Sequence, residues 1–140
     1  MQKIQIIFLI LICNISYSEI SFFNKAKIQY DKNNYDQAKL LFEKDIVFNP
    51  KSTKSYLYLA KIYKKKKQYN EEEKNLKTVI LLDPKNSQAY YLLALKQIRD
   101  GDFKLAEKNA VSFKKFCSIK CEKYQEIKKL NKKSKSWCLT

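Results

Sequence analysis

The stretch that decides the fold of this chain is residues 53–86, which read TKSYLYLAKIYKKKKQYNEEEKNLKTVILLDPKN. Apolar residues recur at spacings of three and four in each half of the stretch, which is the pattern of an amphipathic helix. A polar turn separates the two halves. Asp83 and Pro84 close the unit, because proline cannot continue a helix. The stretch therefore predicts two helices joined by a short turn.

The neighbouring stretches repeat this unit at the same length, so that the chain divides into blocks 19–52, 53–86 and 87–120. An aromatic residue lies early in each first helix, with an alanine four residues later. A second aromatic residue opens each second helix, and proline closes the first two blocks. These columns are Phe22/Tyr56/Tyr90, Ala26/Ala60/Ala94, Tyr35/Tyr69/Phe103 and Pro50/Pro84. Repetition in register predicts helix pairs that stack in a row, since one pair cannot bury its apolar face alone.

The pattern resembles the tetratricopeptide repeat, whose unit has the same length and carries W-x2-L-G-x2-Y, then A-x3-F, then P. The middle block matches its first part with Tyr56-x2-Leu59-Ala60-x2-Tyr63, and Pro84 stands at its end. The resemblance extends over all three blocks. It implies an all-α, right-handed α-solenoid of three helix-turn-helix repeats.

Three residues depart from the family pattern. Lys25 stands at a usually apolar place, Ser118 replaces the closing proline, and Glu72 occupies a place that is usually small. We expect Glu72 to loosen the packing of the middle pair or to turn its carboxylate toward solvent.

A capping helix is predicted over residues 120–133. Cys121, Tyr124, Ile127 and Leu130 form a narrow apolar stripe, and lysines surround it. A stack of repeats needs such a cap with a polar outer face. Residues 134–140 are predicted to be a flexible tail.

The N-terminal segment, residues 1–18, is typical of a secretory signal peptide. Lys3 precedes an apolar run, and Ser16 and Ser18 supply the small residues that a signal peptidase reads. We expect cleavage after Ser18 and an exported protein, periplasmic or associated with the bacterial cell envelope. Two alternatives are an uncleaved anchor, although the run is short for a bilayer, and lipidation of Cys13, although the bulky Ile12 precedes it.

The net charge is +15, and Arg99 is the only arginine. Such a balance favours acidic partners, whether protein or anionic lipid. A composition rich in Lys, Asn, Ile and Tyr would also produce it without any dedicated surface. Export argues against nucleic acid as the natural partner.

In this family the first helix of each repeat lines a concave groove. Aromatic and basic residues there suit an extended or helical peptide with acidic residues. Alternatively, the same side chains only cover contacts between repeats. The residues that the resemblance places in the groove are Phe23, Lys27, Tyr30, Leu57, Lys61, Lys64, Lys65, Tyr91, Leu95, Ile98 and Arg99.

One sub-type of the family grips the C-terminal carboxylate of chaperones with lysine, asparagine and arginine at fixed places. The corresponding places here hold Phe23, Lys27, Tyr58, Gln88 and Leu92. Only Lys27 could serve, so the resemblance does not extend to a chaperone adaptor.

Three cysteines remain after signal removal: Cys117, Cys121 and Cys138. In an oxidising compartment one pair can form a disulfide, and a helix break near Ser118 would help Cys117 and Cys121 to do so. Cys138 could instead hold the tail against the cap, or all three thiols could stay reduced. With no histidine in the chain, neither a metal site nor a cofactor is predicted.

No catalytic motif is present, so the chain is not expected to be an enzyme. The sequence predicts a protein–protein interaction scaffold of the bacterial cell envelope that binds its partner in the groove. Two alternatives are a membrane-surface protein held to anionic lipid by the lysine-rich cap and tail, and a homo-oligomerising structural protein. The partner, the biological process and the oligomeric state stay open.

Overall fold

The computed structural model describes residues 21–118 and 121–137. These residues form seven α-helices and no strand, and the prediction of an all-α stack of helix pairs is confirmed. The helices are α1 (Phe22–Asp31), α2 (Tyr35–Phe48), α3 (Thr53–Lys65), α4 (Tyr69–Leu82), α5 (Ser87–Arg99), α6 (Phe103–Phe116) and α7 (Glu122–Trp137).

The turn inside each helix pair is built in the same way in all three pairs. Asn33, Lys67 and Gly101 lie at equivalent positions and have positive φ angles of 62°, 59° and 80°. Each donates its backbone N–H back into the last turn of the preceding helix, for example from Gly101 to the carbonyl of Ile98 at 3.2 Å. This left-handed residue ends the first helix and lets the second begin.

The core consists of three clusters, and each cluster joins residues of a helix pair to residues of the element that follows it. The first contains Ala26, Ala38, Phe42, Leu59 and Ile62. The second contains Leu57, Ala60, Leu76, Val79, Ala89 and Leu93. The third contains Ala94, Ala110, Phe113 and Ile127. The first two clusters each draw on two pairs, and the third joins the last pair to α7, so each pair depends on the element that follows it for burial.

The first and second junctions between pairs are held differently. Asp45 is 2% exposed, and the hydroxyl of Ser55 donates to its carboxylate at 2.5 Å. Asn49 donates to the other oxygen at 3.3 Å. At the next junction the equivalent residues are Val79 and Ala89, both fully buried. Hydrogen bonds at the first junction therefore take the place of apolar packing at the second.

The last helix, α7, is longer than the predicted capping helix and continues the repeat register. It extends to Trp137, so the prediction of a flexible tail was wrong for residues 134–137, while residues 138–140 lie outside the described residues. Tyr124 and Ile127 stand one repeat length after Tyr90 and Leu93, and Ile127 is fully buried. The helix α7 is therefore equivalent to the first helix of a fourth unit, which the sequence analysis missed.

A disulfide joins α6 to α7. The backbone leaves the helical conformation at Cys117, and Cys117 is bonded to Cys121 with their Cα atoms 6.0 Å apart. This separation lies within the range that suits a disulfide. Cys138 lies outside the described residues.

The predicted signal peptide, residues 1–18, also lies outside the described residues. Within the helices that the structure describes, none combines the length and the apolar character needed to cross a bilayer.

Candidate partner-binding groove

The first helices of the three pairs, α1, α3 and α5, line an open depression together with the turn that precedes α4 and the first residue of α4. We call this depression the groove. Its lining residues are Tyr30, Lys61, Lys64, Lys65, Lys67, Tyr69, Leu92 and Arg99. Five of the eleven residues predicted for the groove lie here: Tyr30, Lys61, Lys64, Lys65 and Arg99.

Leu57 was wrongly predicted as a groove residue. It is only 7% exposed and belongs to the second core cluster, where it packs with Ala89 and Leu93 of the following pair. The next residue, Tyr58, is the one that turns toward the groove side. A shift of one residue along a helix rotates the side chain by about 100°, which accounts for the error.

Phe23 and Lys27 flank the groove without lining it. Phe23 packs against Phe42 and Tyr58, with ring centroids 5.7 and 5.8 Å apart. The amine of Lys27 binds the carboxylate of Asp31 at 2.6 Å and lies 5.7 Å from the ring centre of Tyr58. Both residues therefore support Tyr58 from the N-terminal side.

Tyr91, Leu95 and Ile98 are partly buried against the third core cluster and are not among the residues that line the depression. The hydroxyl of Tyr91 bonds to the carboxylate of Glu126 at 3.2 Å, and the amine of Lys123 lies 4.7 Å from its ring centre. Both contacts come from α7. The seventh helix thus covers the C-terminal part of the surface that the family resemblance assigned to the groove.

Tyr58, which the groove prediction did not include, flanks the groove and contacts two of its lining residues. Its ring stacks on Phe42 at 5.0 Å, meets Tyr30 edge-on at 4.9 Å and lies 4.6 Å from the amine of Lys61. Leu92, also missed, stands one repeat length later in the same column. The repeat register would have revealed both, had their column rather than its neighbour been assigned to the groove.

Lys61 is a half-buried cation without a carboxylate partner among the described residues. Burial lowers its pKa, and the like charges of Lys27 and Lys123 lower it further. Some lysines elsewhere on the stack are paired with carboxylates, for example Lys39 with Glu43 and Lys77 with Glu73, at 2.8 and 2.7 Å. Lys61 instead lies among further lysines that line the groove, so the groove concentrates positive charge.

Arg99, at the opposite side of the groove, is held by the buried Glu72. Its guanidinium donates to the Glu72 carboxylate at 2.6 Å and lies 4.2 Å from the ring centre of Tyr69. The expectation that Glu72 loosens the packing or faces solvent was wrong, because its side chain is 3% exposed and ion-paired. Burial raises the pKa of Glu72, and the hydrogen bond from Arg99 opposes that shift.

Residues 53–86, the stretch from which the fold was argued, match the family model of the tetratricopeptide repeat. The chain thus contains a tetratricopeptide repeat. The predicted family is thereby confirmed. No curated protein matches the chain.

Several solved structures are similar in shape to this chain. The type III secretion chaperone SycD of Yersinia enterocolitica, in complex with a peptide of the translocator YopD, superposes with a TM-score of 0.75 at 17% identity, over 87% of this chain and 96% of that one. The first tetratricopeptide-repeat domain of Spaghetti (RPAP3), bound to the HSP90 peptide SRMEEVD, superposes with a TM-score of 0.72 at 16% identity. The match covers 79% of this chain and 88% of that one. A T3SS complex from Aeromonas hydrophila superposes with a TM-score of 0.73 at 15% identity, over 90% of this chain and 87% of that one. At these identities the likeness establishes the fold.

Within the described part of the chain, no three His, Cys, Asp or Glu side chains are grouped so that they could hold a metal ion. The groove instead offers aromatic faces, an aliphatic side chain and cations. These groups bind other molecules through packing and charge.

Proposed function

We propose that this tetratricopeptide-repeat protein is a non-enzymatic interaction module that binds an acidic segment of a partner protein in its groove. The observation that carries the proposal is Lys61, a half-buried amine that faces like charges and has no carboxylate partner among the described residues. A carboxylate entering the groove would supply the missing counter-charge. Charge complementarity of this kind sets specificity and association rate.

The aromatic groups beside Lys61 complete the binding surface. The rings of Tyr30 and Tyr58 contact each other, Tyr58 also stacks on Phe42, and Tyr30 also meets Tyr35. Little side-chain entropy would therefore be lost when a partner packs on them. Leu92 adds an aliphatic contact across the groove. This combination suits a segment in which acidic residues alternate with apolar ones.

Two of the similar structures support a peptide as the kind of ligand. SycD is in complex with a peptide of YopD, and the Spaghetti domain is bound to the peptide SRMEEVD, which contains three acidic residues. Stacks of this shape thus accept peptide segments.

We also propose that the protein acts in the bacterial cell envelope. The features that support this setting are the signal-like residues 1–18 and the disulfide between Cys117 and Cys121. Disulfides persist in oxidising compartments and are rare in the cytosol.

Charge reversal at Lys61 is expected to abolish capture of the partner. Chemical cross-linking in intact cells, followed by mass spectrometry, would compare the unchanged protein with Lys61→Glu and with Lys54→Glu. Lys54 is exposed on α3, so the second variant has the same net charge with an intact groove. We expect a partner that is retained by Lys54→Glu and lost from Lys61→Glu, and retention of every partner by Lys61→Glu would refute the proposal.

A further inference from the structure

A cavity of ≈ 170 Å³ lies at the seam between α6 and α7, away from the residues that line the groove. Ala110 and Glu107 of α6 lie on one side of it, and Ile127, Lys128 and Asn131 of α7 lie on the other. The repeat register explains its origin. Ala110 stands in the column of Phe42 and Leu76, which are fully buried and fill the corresponding space at the earlier junctions.

Asn131, beside this cavity, carries a buried acceptor without a partner. Asn131 is 7% exposed, and its Oδ1 has no hydrogen bond among the described residues. Its Nδ2 donates to the backbone carbonyl of Phe103 at 3.2 Å, which fixes the orientation of the amide. A buried acceptor of this kind is costly unless a donor reaches it.

The third repeat shows which group would supply that donor. Gln97 stands one repeat length before Asn131, and its Oε1 accepts a hydrogen bond from Asn109 Nδ2 at 2.6 Å. Asn109 lies on α6, the second helix of that repeat. No second helix follows α7 in the described part of the chain, so Asn131 holds the same place without the same partner.

We propose that this seam is a docking site for an acidic amphipathic helix of a partner protein, which takes the place of the second helix of a fourth repeat. The site is separate from the groove and does not rest on the function proposed above. A side chain of the docked helix would fill the space beside Ala110, and a polar residue would donate to Asn131. Lys128, Lys132 and Lys135 at the cavity require acidic residues on that helix.

The charge requirement argues against a second copy of α6 as the occupant. The helix α6 has four lysines and one glutamate, from its sequence FKLAEKNAVSFKKF, and would be repelled by the lysines of α7. Its apolar pattern and Asn109 nevertheless have the right shape for such a site. A suitable probe is therefore a peptide with the α6 sequence in which every lysine is replaced by glutamate.

The test measures binding of this peptide to the full chain by NMR. The peptide carries a hydrocarbon staple on its outer face, since a helix of this length is marginal alone. We expect backbone shifts at Lys128 and Lys132, and an affinity that falls roughly fivefold in Lys128→Glu. Replacing the asparagine of the peptide with leucine should weaken binding roughly threefold to tenfold. Ala110→Leu should also weaken binding of the peptide, because the leucine would occupy the space that a side chain of the docked helix needs.

Two variants of equal net charge serve as controls. Lys54→Glu and Lys61→Glu should each leave the affinity for the probe within twofold of the unchanged protein, because neither lies at the seam. If Lys54→Glu and Lys128→Glu weakened probe binding equally, the effect would come from net charge alone, and the proposal would be overturned. Loss of probe binding in Lys61→Glu alone would place the probe in the groove and would also overturn the proposal. The absence of backbone shifts on α7 when the probe is added would overturn it as well.

Discussion

Replacement of Arg99 with methionine is expected to lower the free energy of unfolding by about 3–5 kcal/mol, because it leaves the Glu72 carboxylate buried without a partner. The side chain of Glu72 is 3% exposed, whereas that of Arg99 is 30% exposed. The two residues are therefore not equivalent. Water can reach the guanidinium when its partner is removed, but it cannot reach the carboxylate.

Glu72→Ala should consequently destabilise the protein far less, by about 1 kcal/mol or not at all. Alanine occupies the equivalent positions Ala38 and Ala106, so the backbone geometry accepts it. The double variant should recover most of the stability lost in Arg99→Met. Urea unfolding of the four proteins, followed by circular dichroism, measures these differences as a double-mutant cycle.

The same pair predicts a dependence on pH. Burial raises the pKa of Glu72, so the folded state favours the protonated carboxyl. The stability that this group contributes is present below its unfolded pKa and is lost as the pH rises through its folded pKa. Removal of Arg99 raises the folded pKa of Glu72 further, so the carboxyl becomes protonated more readily as the pH falls. The loss in free energy of unfolding caused by Arg99→Met should therefore become smaller between about pH 7 and pH 5. A loss of stability in Arg99→Met that does not change with pH would contradict this account. Equal losses of stability in Arg99→Met and Glu72→Ala would also contradict it.

Phe42→Ala is expected to destabilise the protein by about 3–5 kcal/mol. Phe42 is fully buried in the first core cluster, and Tyr58 of the groove stacks on it at 5.0 Å. Its removal should therefore leave a cavity and release the Tyr58 ring, which contacts the groove residues Tyr30 and Lys61. Thermal unfolding measures the stability, and the NMR line widths of Tyr58 report whether its ring becomes mobile.

Phe48→Ala provides the matched control for that variant. Phe48 is 69% exposed and stacks on Phe22 at 5.4 Å, so its loss should cost about 1 kcal/mol and leave Tyr58 unchanged. Similar losses of stability in the two variants would mean that the junction between the first two pairs is not packed as described.

The sequence was sufficient for the repeat architecture because the information lies in local spacing. Columns such as Ala26/Ala60/Ala94 are set by helix periodicity, and the structure buries all three residues. The same register could also have identified α7 as the first helix of a further unit. It was missed because Lys128 stands where the earlier units have alanine, which hides the motif.

The groove was harder to predict because a family resemblance does not specify which neighbouring column faces outward. Leu57 and Tyr58 differ by one position, yet one is core and the other contacts the groove residues. The pairing of Glu72 with Arg99 was beyond the sequence for another reason. It joins two repeats over a distance of 27 residues, and no local pattern encodes that contact.

The central claim, that the groove binds an acidic partner segment, is tested most directly by site-specific photocross-linking in intact cells. A photoreactive amino acid would replace Leu92, which lines the groove, or Leu81, which is 81% exposed on α4. We predict that the Leu92 position captures a partner through an acidic segment, that Lys61→Glu prevents this capture, and that the Leu81 position does not capture the same partner. Capture of that partner from Leu81 but not from Leu92 would contradict the account.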